Sequence, residues 1–174
     1  IEQTIQSVLA QTYPNVEYLV IDGGSTDGSV PIIRRYEDRL AHWVSEPDRG
    51  QADAINKGLG RANGQIVAWL NSDDLYYPDT IANAVRLFAQ QPQAVLVYGD
   101  AVLVDAAGQF VRYFTEVEPF NVFRLRNCAD FIMQPAAFIR RQALQRVGLL
   151  DPDLHWCLDW DLWCGPVQPY PYHP

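Results

Sequence analysis

The feature that most constrains the fold is a short apolar run that ends abruptly in a polar, acidic turn. The run, residues 66–70, follows Gly64 and is typical of a buried strand in a parallel sheet. The segment Asn71–Asp74, with the sequence Asn-Ser-Asp-Asp, comes directly after it. Because ligands bind outside the carboxyl ends of strands in open α/β sheets, we expect this turn to lie at a binding edge. A solvated turn that caps the next helix is the alternative.

Two adjacent carboxylates at such an edge favour a divalent cation. Asp73 and Asp74 would repel each other unless a cation or hydrogen-bond donors lay between them. Hard oxygen ligands suit Mg²⁺ or Mn²⁺, which bind through one or two carboxylates together with substrate phosphates. We therefore expect Asp73 and Asp74 to hold one of these cations on a phosphorylated ligand, and which of the two touches the metal stays open.

Strand and helix signals alternate along most of the chain. Apolar and amphipathic segments predict strands at 18–21, 42–45, 66–70 and 94–98, separated by helices, which indicates an α/β fold with a mostly parallel central sheet flanked by helices. Ser29 is expected to cap the helix after the first of these strands, and Gly64 to end the helix after the second. Two further strands flank Asp105–Gly108 and predict an antiparallel hairpin.

Length and composition predict one domain and a short tail. The chain of 174 residues is long enough for one hydrophobic core, and we assign it to residues 1–164. Four prolines in residues 165–174 exclude regular structure there, so that segment is predicted to be a Pro-rich tail. The net charge of −8 argues against a nucleic-acid binder, which needs a basic face.

Five polar or Gly-rich motifs follow one another along the chain. They are Val20–Ser29, Gly50–Gly58, Asn71–Asp74, Gln134–Phe138 and Leu158–Trp163. In this order they resemble the family 2 glycosyltransferases, and the resemblance covers residues 1–163. It implies the GT-A fold, which binds nucleotide-diphosphate sugars. It also implies that this sequence begins after the first strand of the family and ends before its C-terminal part.

The resemblance implies inverting transfer of a sugar from a nucleotide-diphosphate sugar to an acceptor hydroxyl, with a divalent metal on the diphosphate. Residues 71–73 occupy the D-x-D position of the family. This match implies that Asn71 and Asp73 bind the donor and that Asp73 and Asp74 bind the metal.

Two other segments match the part of the family that contacts the nucleoside. Asp22 ends the strand that does so, and Asp48 and Gln51 belong to a loop that should lie beside the same nucleotide. All three are therefore implied to bind the donor.

The resemblance places the catalytic base at Asp159. Inversion by a single displacement needs one base near the acceptor hydroxyl and a stabilised leaving diphosphate, but no protein nucleophile. An exposed acid on an amphipathic helix is the alternative reading of Asp159, and Asp161 is the competing base. Gln134 either lines the acceptor side or simply starts a strand.

Three tryptophans accompany the candidate base on the same stretch of chain. At helical spacing such residues more often form the core than a sugar site. We therefore expect at most one of Trp156, Trp160 and Trp163 to contact a sugar.

The implied partners are a nucleotide-diphosphate sugar donor and a saccharide or lipid-linked acceptor, in bacterial polysaccharide or glycolipid assembly. The odd, irregularly spaced set of three cysteines favours a reducing compartment. We expect a cytoplasmic protein, and peripheral association with the inner face of the membrane stays open. The alternatives are a non-catalytic domain that binds a nucleotide sugar, or nucleotidyl transfer on a similar fold. The sequence does not specify the donor sugar, the nucleoside or the acceptor.

Overall fold

The computed structural model describes residues 1–165, in which short strands alternate with helices. The strands are β1 (Leu19–Asp22), β2 (His42–Ser45), β3 (Ile66–Val67), β4 (Leu96–Tyr98), β5 (Val102–Val104), β6 (Phe110–Tyr113) and β7 (Ala137–Arg140). The α-helices are α1 (Glu2–Leu9), α2 (Ser29–Arg34), α3 (Gln51–Arg61), α4 (Thr80–Gln90), α5 (Val122–Asn127), α6 (Arg141–Val147) and α7 (Leu158–Cys164). Short 3₁₀ turns cover Glu37–Arg39 and Gln134–Ala136. None of the helices in this range has the length and hydropathy needed to cross a bilayer. The predicted Pro-rich tail, apart from its first residue, lies outside the described residues.

The α/β class and the antiparallel hairpin are confirmed, but the sheet is less parallel than predicted. β1 pairs in parallel with β2, and β5 pairs antiparallel with β6. β7 lies between β3 and β4 and is antiparallel to both. β3 and β4 therefore run in the same direction, as expected for strands joined by the crossover helix α4. The chain reaches β7 through the hairpin and α5 instead of a single crossover, so β7 can enter in the opposite direction.

Three local predictions are wrong at the ends of elements. Ser29 is the first residue of α2, and the N-cap position before it is occupied by Gly28, with φ at 94° and no side-chain cap. The helix α3 ends at Arg61 and not at Gly64. The predicted strand 66–70 pairs over Ile66–Val67 only, because its partner chain turns into the 3₁₀ turn before β7 and leaves the ladder.

The tryptophans of the C-terminal region are divided between the core and the surface. Trp163 is 1 % exposed and stacks on Trp69, with the ring centroids 5.7 Å apart. Trp160 donates its indole N–H to the carbonyl of Leu125 at 2.7 Å. Trp156 is 84 % exposed. Packing therefore accounts for Trp160 and Trp163, as the helical spacing indicated.

A cavity of about 1160 Å³ separates the edges of β1 and β3. Consecutive residues 18–21 and 64–71 line it, which is the pattern of strand edges, since a strand face would contribute alternate residues. Within the described residues β1 pairs only with β2, and β3 only with β7. Glu17 accepts hydrogen bonds from the backbone N–H groups of Asn63 and Gly64, at 2.7 and 3.2 Å, and ties together the starts of the two strands. The cavity thus offers backbone hydrogen-bonding groups on two sides to an extended segment.

We expect a longer chain with an apolar strand ahead of Ile1 to be more stable than residues 1–174 alone. Such a strand could pair with both edges and bury its side chains, and full burial of one large apolar side chain contributes about 1.5–3 kcal/mol. Urea unfolding should show a free energy of unfolding higher by about 2 kcal/mol or more. The control is the same longer chain with serines replacing the apolar residues of the added strand. Equal unfolding midpoints for the two longer chains would contradict this prediction.

Candidate active site

The turn after β3 is organised by the side-chain amide of Asn71. Its Oδ1 accepts a hydrogen bond from Gln51 Nε2 at 2.8 Å. Its Nδ2 donates to Gln134 Oε1 at 3.1 Å and to Asp74 Oδ2 at 3.3 Å. One amide therefore connects the start of α3, the acidic turn and the 3₁₀ turn before β7.

Gln134 holds this amide in place from the other side. The side chain is 8 % exposed, and its Nε2 donates to the carbonyl of Trp69 at 2.7 Å while its Oε1 accepts from Asn71. The antiparallel pairing of β7 with β3 brings Gln134 to this position. Both ends of its amide are thus engaged within the protein. Its acceptor contact stays a prediction.

The two carboxylates of the turn differ in exposure. Asp74 is half-buried and Asp73 is exposed. Burial raises the pKa of Asp74, the negative charge of Asp73 raises it further, and the hydrogen bond from Asn71 opposes both effects. Among residues 1–165, no lysine, arginine or histidine forms an ion pair with either carboxylate. A cation bound between them would offset the burial and the repulsion.

The donor set fits Mg²⁺ or Mn²⁺ bound jointly with a phosphorylated ligand. Both groups are carboxylates, the oxygen ligands that these cations prefer. The part of the chain that the structure describes has no cluster of three or more His, Cys, Asp or Glu side chains able to hold a metal. A cation at Asp73 and Asp74 would therefore complete its coordination with water and phosphate oxygens, as Mg²⁺ commonly does.

Asp22 shapes the Gly-rich loop after β1. The side chain is 9 % exposed, and its Oδ2 accepts hydrogen bonds from Gly24 N, Ser25 N and Ser45 Oγ at 3.1, 3.0 and 2.6 Å. Burial acts to raise the pKa of this carboxyl, but the hydrogen bonds from Ser25, Ser45 and Gly24 together outweigh it and the pKa is lowered. The ionised Asp22 thus holds the ends of β1 and β2 together. Its contact with a nucleoside stays a prediction.

The loop between β2 and α3 lies at the same edge of the fold. Asp48 Oδ1 accepts the backbone N–H of Gly50 at 2.9 Å, while its Oδ2 lies beside Gly23. Gly50 has φ at 119°, a left-handed value that favours glycine, and Gln51 follows it as the first residue of α3. Through Gln51 and Asn71, this loop is connected to the acidic turn.

Asp159 lies in the first turn of α7 and is half-buried, whereas Asp161 is exposed. The stack of Trp163 on Trp69 packs this helix against the segment that leads into the acidic turn. The helix of the predicted base is therefore attached to the segment that ends in the acidic turn, and Asp159 and Asp161 differ in burial.

Asp130 is a neighbour of the predicted base that the sequence analysis missed. Its Oδ1 accepts the backbone N–H of Ile132 at 3.0 Å. Burial raises the pKa of Asp130 to about 6, and the negative charge of Asp159 adds to this rise. The only signal in the sequence is an acid directly before an apolar pair, Phe131 and Ile132, which the structure buries.

We expect Gln134→Leu to destabilise the protein by about 1–3 kcal/mol, because it leaves the partly buried carbonyl of Trp69 and one amide proton of Asn71 without a partner. Urea unfolding measures this loss. The matched control is Gln142→Leu, at an exposed position of α6, which should change the free energy of unfolding by less than about 0.5 kcal/mol. Equal losses for both variants would show that the buried amide network does not stabilise the turn.

The fold is that of the GT-A glycosyltransferases, as the comparisons with known proteins show. The chain belongs to glycosyltransferase family 2, because the model described as glycosyl transferase family 2 matches residues 1–148. It is 31 % identical over 169 residues to an uncharacterized glycosyltransferase of Rickettsia typhi, covering 92 % of this chain and 52 % of the relative. An uncharacterized glycosyltransferase of Mycobacterium tuberculosis is 42 % identical over 88 residues, which cover 49 % of this chain and 34 % of that protein.

Solved structures show the same fold. The crystal structure of S. aureus TarS in complex with UDP matches with a TM-score of 0.64 at 20 % identity, covering 92 % of this chain and 48 % of that chain. The TarS complex with UDP-GlcNAc matches with a TM-score of 0.56 at 19 % identity, over 82 % and 42 % of the two chains. This chain thus spans about half or less of the length of the relatives that it matches, for example 52 % of the R. typhi protein and 34 % of the M. tuberculosis protein.

Proposed function

We propose that this domain transfers a sugar from a nucleotide-diphosphate sugar to an acceptor hydroxyl with inversion at the anomeric carbon. The observation that carries the proposal is the hydrogen-bonded group around Asn71. It connects the loop of Asp48 and Gln51 on one side with Asp74 and Gln134 on the other. A donor that is long and multiply charged needs such a row of separate contacts along one edge.

In this proposal the parts of the donor follow the order of these contacts. The nucleoside lies against the ends of β1 and β2, near Asp22 and Asp48. The diphosphate lies at Asp73 and Asp74, and the sugar points toward Asp159. The bound UDP and UDP-GlcNAc of the TarS crystal structures support a nucleotide sugar as the donor of a protein with this fold.

The chemistry requires one base and a stabilised leaving group. The carboxylate of Asp159 takes the proton of the acceptor hydroxyl while that oxygen forms a bond to the anomeric carbon. The bond from the anomeric carbon to the diphosphate oxygen breaks, and the nucleoside diphosphate leaves with the electron pair. Asp73 and Asp74 would hold Mn²⁺ or Mg²⁺, which supplies positive charge at the diphosphate.

The proposed acceptor is a saccharide or a lipid-linked saccharide in bacterial polysaccharide or glycolipid assembly. We propose that the protein works in the cytoplasm, with peripheral contact to the inner face of the membrane where the acceptor is lipid-linked. No nucleic acid takes part. The alternative is a domain that binds a nucleotide sugar without transferring it, and the presence of acids at positions 73, 74 and 159 favours transfer.

We expect nucleoside diphosphate binding to depend on a divalent cation and on the acidic turn. Asp73→Asn and Asp74→Asn keep the shape of the side chain but remove negative charge, so each should weaken Mn²⁺-dependent binding at least about tenfold. Calorimetric titration of UDP with Mn²⁺, and again with a chelator, measures this. The control Asp100→Asn, at an exposed position without a side-chain hydrogen bond in the described residues, should bind as wild type does. If a chelator did not weaken binding in the wild type or in any of the three variants, the metal would have no role in nucleotide binding.

We expect Asp159→Asn to lower sugar transfer by about 10²–10⁴ while leaving nucleotide binding nearly unchanged, since an amide cannot take up the acceptor proton. Single-turnover transfer by the full-length protein measures the loss. Asp161→Asn is the matched control on the exposed face of the same helix. Loss of transfer in Asp161→Asn alone would assign the base to the neighbour. Full transfer in both variants would mean another base or a non-catalytic domain.

A further inference from the structure

Gly23 and Asp48 lie on two different loops, and the carboxylate of Asp48 occupies the space that a side chain at position 23 would need. A Cβ atom added to Gly23 would overlap Asp48 Oδ2 and would lie only 2.9 Å from Asp48 Cγ. No real Cβ contact is that short, so any side chain at position 23 must displace the carboxylate of Asp48. The backbone of Gly23 itself does not require glycine, because its φ is not among the positive values of the chain. The glycine is therefore needed for space.

The carboxylate that occupies this space has one oxygen held and one oxygen free. Asp48 Oδ1 accepts the backbone N–H of Gly50 at 2.9 Å, which fixes the orientation of the group. Asp48 Oδ2 has no hydrogen-bond partner among residues 1–165, and the side chain is half-buried. Asp22, at the end of β1, is more buried than Asp48, and three donors engage its Oδ2. Asp48 thus presents a single, oriented acceptor.

The position of this acceptor corresponds to one end of the proposed donor. Asn71 bonds to Gln51 through its oxygen and to Gln134 through its nitrogen, so these two residues lie on opposite sides of one amide. Gln51 begins α3 directly after the loop of Asp48, and Gln134 comes four residues after Asp130, the neighbour of Asp159. With the diphosphate at the acidic turn and the sugar toward Asp159, the nucleobase must lie toward Asp48.

We propose that Asp48 and Gly23 together select the nucleobase of the donor. This inference rests on the proposed function. Asp48 Oδ2, in the space that glycine leaves at position 23, accepts a hydrogen bond from the imide N3–H of uracil or thymine. Cytosine carries a lone pair at N3, which would face the carboxylate and repel it. Position 23 acts only through Asp48, because its own side chain is absent.

Calorimetric titration of the full-length protein with UDP and with CDP, both with Mn²⁺, tests this pairing. The two nucleotides have the same size and differ at the edge of the base. Wild type should bind UDP at least about tenfold more tightly than CDP, since a hydrogen bond to a charged group is retained in one case and replaced by repulsion in the other. Asp48→Asn should bring the two affinities within about threefold, because an amide can also donate to cytosine N3.

The glycine is tested by the smallest possible side chain. Gly23→Ala should reduce the preference for UDP as Asp48→Asn does, because the added Cβ displaces the carboxylate. Gly60→Ala is the matched control, since a Cβ there meets nothing within 4 Å, and it should keep the wild-type preference. Gly23→Ala should have no further effect in an Asp48→Asn background, as expected for residues that act as one unit. The exchange variant Gly23→Asp/Asp48→Gly should regain a preference for UDP.

The outcomes separate this inference from the proposed function. Equal binding of UDP and CDP by wild type overturns the base selection and leaves metal-dependent nucleotide binding in place. A preference for UDP that survives in both Asp48→Asn and Gly23→Ala also overturns the base selection and leaves metal-dependent nucleotide binding in place. No binding of either nucleotide by wild type overturns both proposals.

Discussion

The geometry of the candidate site depends on one primary amide. Asn71 has one acceptor and two amide protons, and it uses all of them within the protein, on Gln51, Gln134 and Asp74. Two of these partners, Gln51 and Gln134, belong to segments distant from Asn71 in the sequence. A carboxylate in its place would have to give up both hydrogen bonds that the amide nitrogen donates, because an ionised carboxylate is acceptor-only. The amide therefore serves to align the acidic turn with the loops on either side, and the charge is left to Asp73 and Asp74.

The charge along this edge sets a second constraint. The proposed donor is an anion, yet five of the candidate site residues are acids: Asp22, Asp48, Asp73, Asp74 and Asp159. The basic residues nearest to the edge in the sequence are engaged elsewhere: Arg49 pairs with Asp53, and Lys57 pairs with Asp53 and Glu46. In the proposed function a divalent cation offsets this repulsion, because the carboxylates of the acidic turn, which form no ion pair among residues 1–165, are oxygen ligands that a hard cation uses.

The sequence predicted those elements whose signals are local. The bounds of β2 were predicted correctly. The hairpin and its turn were also predicted, because a polar turn between two apolar runs leaves few alternative structures. The direction of β7 could not be predicted, because it depends on a path through β4, the hairpin and α5 that no local pattern records. Local pattern also placed the end of α3 at Gly64, where the backbone N–H instead pairs with Glu17 from another segment.

The residues of the candidate site also divide into those with a local signal in the sequence and those without one. Asp73 and Asp74 could be named from the sequence because they directly follow an apolar run, and the motifs in order added Asp22, Asp48 and Asp159. The contacts that connect the segments of the site could not be predicted, since they join residues distant in sequence, as Gln134 and Asn71 are. Asp130 was missed for a related reason: an acid before two apolar residues gives no sign of the helix that will pack beside it.

The three acids at the two ends of the site show why residue type alone does not assign a role. Asp22 is buried and its Oδ2 is engaged by three donors, so its charge is used to fix a loop. Asp48 has its Oδ1 engaged by Gly50, and its Oδ2 occupies space that is open only because position 23 has no side chain. Asp159 shares its surroundings with Asp130, whose raised pKa reflects burial and a neighbouring negative charge. The same carboxyl group is thus a structural acceptor, an oriented acceptor and a candidate base, according to which donors and charges the fold places around it.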